Sequence, residues 1–176
     1  HPNGAMPTTA PEYVVFEGPG MDAFAESPEW GGSLVIFPFM YYETYGDDSL
    51  IKKYYQHMRR YTDYLKTRAD NGILSFGLGD WYDYGDFRAG FSRNTPVPLV
   101  ATAHYYMTVM YLIKAARMVG NEFDVRYYSS LAHDIMVAFN KRFLDSNTAQ
   151  YGTGSQASNA LPIFLQMTQS TGDKGD

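Results

Sequence analysis

Residues 47–68 have the sequence DDSLIKKYYQHMRRYTDYLKTR, the clearest amphipathic stretch in the chain. Its apolar and tyrosine side chains recur at steps of three and four residues, which places them on one face of an α-helix. Asp47 and Asp48 precede this run and are suited to cap the N-terminus of a helix. The stretch therefore predicts a long helix whose tyrosines, including Tyr54, Tyr61 and Tyr64, belong to the core rather than to a binding surface.

Helical patterns also cover most of the chain on either side of this stretch. One pattern follows Gly31-Gly32, contains Pro38 and ends at Gly46. A second pattern follows Thr95-Pro96, and its apolar residues cover most of the surface of the predicted helix. Such a helix is expected to be buried on more than one face. The remaining patterns cover residues 125–143 and 157–167. Residues 1–29 predict an irregular arm in which only residues 13–16 resemble a short strand, and no segment alternates long enough for a sheet.

The connections between these helices are alternately short (46–49 and 121–124) and long (70–93 and 145–156). Antiparallel helix pairs with long loops at one mouth are typical of an α/α toroid. A helical solenoid would show a repeated motif, and the sequence contains none. Five helices cannot close a double ring. The sequence therefore predicts an all-α fold that is part of an (α/α)6 barrel, with residues 1–176 as a single, incomplete domain.

Within the long loop at 70–93, residues 77–86 have the sequence GLGDWYDYGD, whose side chains are suited to bind a ligand. Aromatic rings stack on the apolar faces of sugars, carboxylates accept hydrogen bonds from sugar hydroxyls, and glycines allow a close approach of the backbone. The loop therefore favours a sugar site. A glycine-rich turn anchored in the core by its tryptophan is the alternative interpretation.

The overall composition favours a neutral ligand. The net charge is −5 and there are only 14 lysines and arginines, whereas nucleic acids and anionic membranes require clustered basic residues. No apolar run approaches the roughly 18 residues of a membrane span. The first residues lack the features of a signal peptide. The compartment and the oligomeric state stay open, with a periplasmic or secreted location preferred to the cytoplasm.

No cofactor or metal is expected. Cysteine is absent, and the four histidines lie on different predicted elements without paired spacing, which argues against zinc. Asp80, Asp83 and Asp86 could supply oxygen ligands to calcium, but their spacing is not that of an EF-hand. Solvated turn carboxylates are the preferred interpretation of these three residues.

Six short motifs occur in order along nearly the whole chain: PEWGG (28–32), YGD (45–47), GDWYD (79–83), TP (95–96), ATA (101–103) and FNKRFL (139–144). Together they resemble the catalytic domain of bacterial α-L-rhamnosidases, glycoside hydrolase family 78. The GDW loop followed by Thr-Pro and a long helix is the most specific part. The resemblance implies an (α/α)6 barrel that hydrolyses terminal α-L-rhamnosyl groups with inversion, and a rhamnose-containing carbohydrate as the partner.

The resemblance also implies where the site residues lie. Trp30 and Trp81 match aromatics that line the rhamnose pocket, and Asp80, Tyr82 and Asp83 accompany them on the loop. The family's general acid lies in a segment resembling Glu-Arg-x-Gly-Trp-x-Gly-Asp and its base far downstream. Neither motif occurs here, so no catalytic residue is expected in this chain and the isolated chain is expected to be inactive. The alternatives are another toroid glycosidase or a non-catalytic helical sugar-binding or scaffold module.

Overall fold

The computed structural model describes residues 1–168, and its main elements are the helices that the patterns predict. In chain order the helices are α1 (Asp22–Ala25), α2 (Pro28–Gly31), α3 (Ser33–Tyr45), α4 (Ser49–Arg68), α5 (Val97–Met118), α6 (Glu122–Phe143) and α7 (Gln156–Phe164). The strands are β1 (Asp83–Gly85), β2 (Phe87–Gly90), β3 (Leu144–Asp145) and β4 (Gln150–Tyr151), which form two antiparallel hairpins, β1-β2 and β3-β4.

Helix α4 buries the face that its sequence predicts, with Ile51, Met58 and Tyr61 inside. The two aspartates before it act differently. Asp47 Oδ1 accepts a hydrogen bond from the amide of Ser49 at 2.9 Å. Asp48 occupies the cap position without a side-chain cap bond and instead pairs with Lys52 one turn later.

Helix α5 lies at the centre of the described structure and packs against α2, α3, α4, α6 and α7. Thirteen of its 22 residues are buried, as expected for a helix that is apolar on most sides. Small residues such as Ala101, Ala103 and Ala116 let neighbouring backbones approach closely. The expected burial of this helix on more than one face is therefore confirmed.

A buried polar network joins α4 to α6. The hydroxyl of Tyr55 donates to Asp124 Oδ2 at 2.5 Å, and the Nε of Arg59 lies 3.2 Å from the same oxygen. The side-chain amide of Asn121 donates to it as well. Burial, followed by the hydrogen bond to Asp124, raises the pKa of Tyr55 well above its ordinary value, so this hydroxyl stays a donor.

Two expectations about the elements are wrong. The described residues contain two short antiparallel hairpins, β1-β2 and β3-β4, although no segment alternates long enough to predict a sheet. Residues 13–16, which resemble a strand, form none, in keeping with an irregular arm: they lack a partner strand in the described structure, and Tyr13 is 85% exposed. A single strand without hydrogen-bonded neighbours is not stable in water. The fifth predicted long helix, α7, has only nine residues, with Pro162 near its end.

The two long loops lie at the same end of the helices. The hydroxyls of Thr95 and Ser155 are 2.7 Å apart, and the hydroxyl of Thr153 donates to the backbone carbonyl of Asn94. The expectation that the long loops meet at one mouth is therefore confirmed. Among the described helices, none is long and apolar enough to cross a membrane.

Candidate functional site

The aromatic loop is anchored at its start by the turn that leads into α2. The amide of Leu78 donates to the hydroxyl oxygen of Ser27, and the amide of Gly79 donates to Glu29 Oε1, both at 3.0 Å. Gly77 and Gly79 have positive φ angles of +121° and +69°, which glycine adopts readily. The backbone before Asp80 therefore has a fixed path.

Asp80 lies where the two long loops meet. The hydroxyl of Thr95 donates to its Oδ2 at 3.2 Å, and Thr95 in turn contacts Ser155, the N-cap residue of α7. Thr95 is buried, whereas Asp80 is half-buried. A carboxylate that accepts one hydrogen bond from a buried hydroxyl still has free lone pairs. These can accept hydrogen bonds from the hydroxyls of a sugar.

A polar cleft of about 770 Å³ opens beside Asp80. One wall is formed by Tyr84, Asn94 and Thr95, and the other by residues 153–157 at the start of α7. Sites for small molecules range from roughly 300 to 1,000 Å³. The cleft is therefore large enough for a sugar residue, and its walls offer both hydrogen-bond donors and acceptors.

Both carboxylate oxygens of Asp83 accept hydrogen bonds from the protein. Its Oδ2 accepts from the amides of Arg93 and Asn94, and its Oδ1 accepts from the side-chain amide of Asn94. These bonds, with that from the Arg93 amide the strongest, hold the pKa of Asp83 below its ordinary value of 3.8. Asp83 thus closes the loop around β1 and β2, and its predicted sugar contact stays a prediction.

The two aromatic residues after Asp80 are exposed. Trp81 is 37% exposed and makes edge-to-face contacts with Phe24 at 5.1 Å and Phe91 at 5.5 Å between ring centroids. Tyr82 is 66% exposed and has a φ angle of +66°. A tyrosine in this left-handed conformation is an outlier, of the kind that clusters at functional sites. Trp81 thus anchors the arm through Phe24, and its predicted sugar contact stays a prediction.

Trp30 is 39% exposed and lies on α2, next to Glu29. Because Glu29 is hydrogen-bonded to Gly79, the segments that carry the two tryptophans are in direct contact. That both rings face one pocket stays a prediction.

The sequence did not single out several residues that shape this region. Glu29 and Thr95 occur in the sequence only as parts of motifs, and Ser155 belongs to none of these motifs. Their roles depend on contacts between residues 50 to 60 positions apart, which periodicity cannot reveal. No group of three or more potential metal ligands occurs among the described residues.

The antiparallel helices, with their long loops at one end, form part of a helical toroid. The family model described as the bacterial alpha-L-rhamnosidase six-hairpin glycosidase domain matches residues 1–175. The chain belongs to this family, and the resemblance noted in the sequence is confirmed.

Individual relatives agree with this assignment. An alpha-L-rhamnosidase of Formosa agariphila is 29% identical over 121 residues, which cover 66% of this chain and 12% of that protein. The structure of alpha-L-rhamnosidase from Dictyoglumus thermophilum matches with a TM-score of 0.80 and 28% identity, over 95% of this chain and 18% of that one. The structure of a Streptomyces avermitilis alpha-L-rhamnosidase complexed with L-rhamnose shares the fold, with a TM-score of 0.78 and 23% identity, over 95% of this chain and 15% of that one. The chain thus spans less than a fifth of the length of each of these relatives.

The depressed pKa of Asp83 predicts how the loop responds to acid. Because the folded pKa lies below 3.8, Asp83 stabilises the fold above that pH, and this stability is lost as the pH falls through the folded pKa. Asp83→Asn should lower the melting temperature at neutral pH, with a difference from wild type that shrinks below about pH 4. Melting curves from pH 7 to 2 test this. The same replacement at the exposed Asp86 is the control, and a difference for Asp83→Asn that does not vary with pH would contradict the assignment.

Proposed function

We propose that this chain is the substrate-binding part of a glycoside hydrolase that releases terminal α-L-rhamnose by an inverting mechanism. The observation that carries the proposal is the family match over residues 1–175, on a chain whose loop presents Trp81 beside Asp80. In this proposal the ring faces of Trp30 and Trp81 pack against the apolar side of the sugar. Asp80 accepts hydrogen bonds from its hydroxyls.

The general acid and base are proposed to lie in parts of the enzyme outside this chain. Inverting hydrolysis uses two carboxyl groups roughly 6.5 to 9.5 Å apart, with a water between the base and the sugar. Two carboxylates near Asp80 are already engaged: Asp83 accepts three hydrogen bonds and Glu29 accepts two. They fit structural tasks better than proton transfer.

The test is hydrolysis of an aryl α-L-rhamnoside by the complete glycosidase that carries this chain, followed by proton NMR. The first-formed sugar should be β-L-rhamnose, which only later equilibrates with the α-anomer. Release of α-L-rhamnose first would contradict inversion. No hydrolysis, with binding of L-rhamnose intact, would favour the non-catalytic sugar-binding module.

Trp81→Ala in the complete enzyme should weaken L-rhamnose binding by roughly 1–3 kcal/mol, because an apolar ring face is lost. Since the ring also packs on Phe24 and Phe91, the variant should melt at a lower temperature as well. Titration calorimetry measures the affinity. Tyr13→Ala, at an exposed residue of the arm, is the control. Unchanged affinity with a lowered melting temperature would show that Trp81 is an anchor alone.

A further inference from the structure

Two side chains from one turn hold two consecutive amides of the aromatic loop. Ser27 Oγ accepts from Leu78, Glu29 Oε1 accepts from Gly79, and the hydroxyl of Ser27 donates to Glu29 Oε2. We name Ser27 and Glu29 the loop clamp. Ser27, Leu78 and Gly79 are buried and Glu29 is half-buried, so these hydrogen bonds are largely shielded from water.

The carboxylate of Glu29 lies directly against the loop backbone. A Cβ added at Gly77 would lie 2.6 Å from Glu29 Oε2 and 2.9 Å from Pro28 Cδ. Any side chain at position 77 would therefore displace the carboxylate or the loop. Glycine at this position is what allows the clamp to close.

Helix α4 packs against the turn that carries the loop clamp. The ring of Tyr61, a buried residue, packs against Gly31 at the end of α2, since a Cβ at Gly31 would overlap its hydroxyl. Burial, with the nearby charge of Glu29 as the next cause, raises the pKa of Tyr61 above its ordinary value. The turn that carries the clamp is thus fixed to the helical core.

We propose that Glu29 is a positioning residue for the sugar site, which it serves by fixing the loop that presents Asp80 and Trp81. The proposal depends on the proposed function. Gly79 directly precedes Asp80, so displacement of its amide moves the carboxylate and the next ring together. Both carboxylate oxygens of Glu29 already accept hydrogen bonds within the clamp, which distinguishes it from a carboxyl group that transfers a proton to substrate.

The experiment compares Glu29→Ala, Glu29→Gln and Ser27→Ala in the complete glycosidase, with the exposed Glu17→Ala as the control. Glutamine keeps a carbonyl oxygen for the Gly79 amide, whereas alanine leaves that buried donor without a partner. Glu29→Ala should raise the KM for an aryl α-L-rhamnoside and the Kd for L-rhamnose roughly 10- to 100-fold, with a smaller fall in kcat. Glu29→Gln should restore both to within about threefold of wild type, because it keeps the acceptor.

A second measurement follows the hydrogen bonds of the loop clamp in the absence of any ligand. Hydrogen exchange should accelerate at the Gly79 amide in Glu29→Ala and at the Leu78 amide in Ser27→Ala, because in each variant that amide loses its acceptor. If Glu29→Ala does not fold, Ser27→Ala and Glu29→Gln carry the test.

The outcomes separate this proposal from its alternatives. Loss of kcat in Glu29→Gln as severe as in Glu29→Ala would mean that Glu29 acts as an ionised catalytic group, and would overturn the proposal. Unchanged exchange at Leu78 and Gly79, or faster exchange with unaltered KM and Kd, would also overturn it. A wild-type enzyme that neither binds nor cleaves rhamnosides would refute the proposed function, whereas the exchange data would still report on the clamp.

Discussion

The 176-residue chain, produced on its own, is expected to hydrolyse an aryl α-L-rhamnoside at least about 10⁴-fold more slowly than the complete glycosidase, because general acid and base catalysis contribute roughly 10²- to 10⁴-fold each. Asp83, which lines the cleft, does not substitute for either member of that pair. Asp83 accepts three hydrogen bonds from the protein, and its lowered pKa keeps it ionised and unable to act as an acid at neutral pH.

The assay compares the isolated chain with the complete enzyme under identical conditions. Far-UV circular dichroism shows whether the isolated chain contains the expected helices, so that inactivity is not mistaken for unfolding. Turnover close to that of the complete enzyme would place the catalytic pair within this chain. It would then direct attention to Asp80 and Glu29.

Asp124→Ala should destabilise the helical domain by about 3 kcal/mol. Removing one partner of a buried ion pair costs about 3–5 kcal/mol, and the lower end applies here because the side chain of Arg59 is 35% exposed and regains some hydration. The hydroxyl of Tyr55 loses its acceptor at the same time. Urea unfolding followed by circular dichroism measures the change in the free energy of unfolding.

Asp48→Ala is the matched control, because Asp48 also pairs with a basic residue but at the surface. Exposed pairs contribute about 0–1 kcal/mol. Asp124→Asn keeps an acceptor for Tyr55 and should fall between the two. A loss for Asp124→Ala as small as that for Asp48→Ala would show that the network contributes nothing beyond its packing.

Sequence periodicity predicts the helices well because their apolar faces are continuous and long. The stripe in α4 and the all-round apolar surface of α5 each specify burial directly. Periodicity fails where an element depends on a distant partner. Residues 13–16 have the composition of a strand but no neighbouring strand among residues 1–168, whereas residues 83–90 form a hairpin that Asp83 closes through Arg93 and Asn94.

The candidate site likewise has a part that the sequence predicts and a part that it does not. Composition alone points to the loop that contains Asp80 and Trp81, since it places aromatic rings and carboxylates on one glycine-rich segment. The residues that orient this loop could not be identified from the sequence. Ser27 and Glu29 contact it across about 50 positions, and Thr95 meets Ser155 across 60. Such contacts arise from how the helices pack.

The backbone conformation of Tyr82 lowers the stability of the loop. Its left-handed backbone, with φ at +66°, costs a bulky residue on the order of 1–3 kcal/mol. Glycine would adopt the same conformation without that cost. A sequence selected for thermal stability alone would therefore have glycine at position 82. The loop instead holds an exposed tyrosine there, and the domain is less stable by that conformational cost.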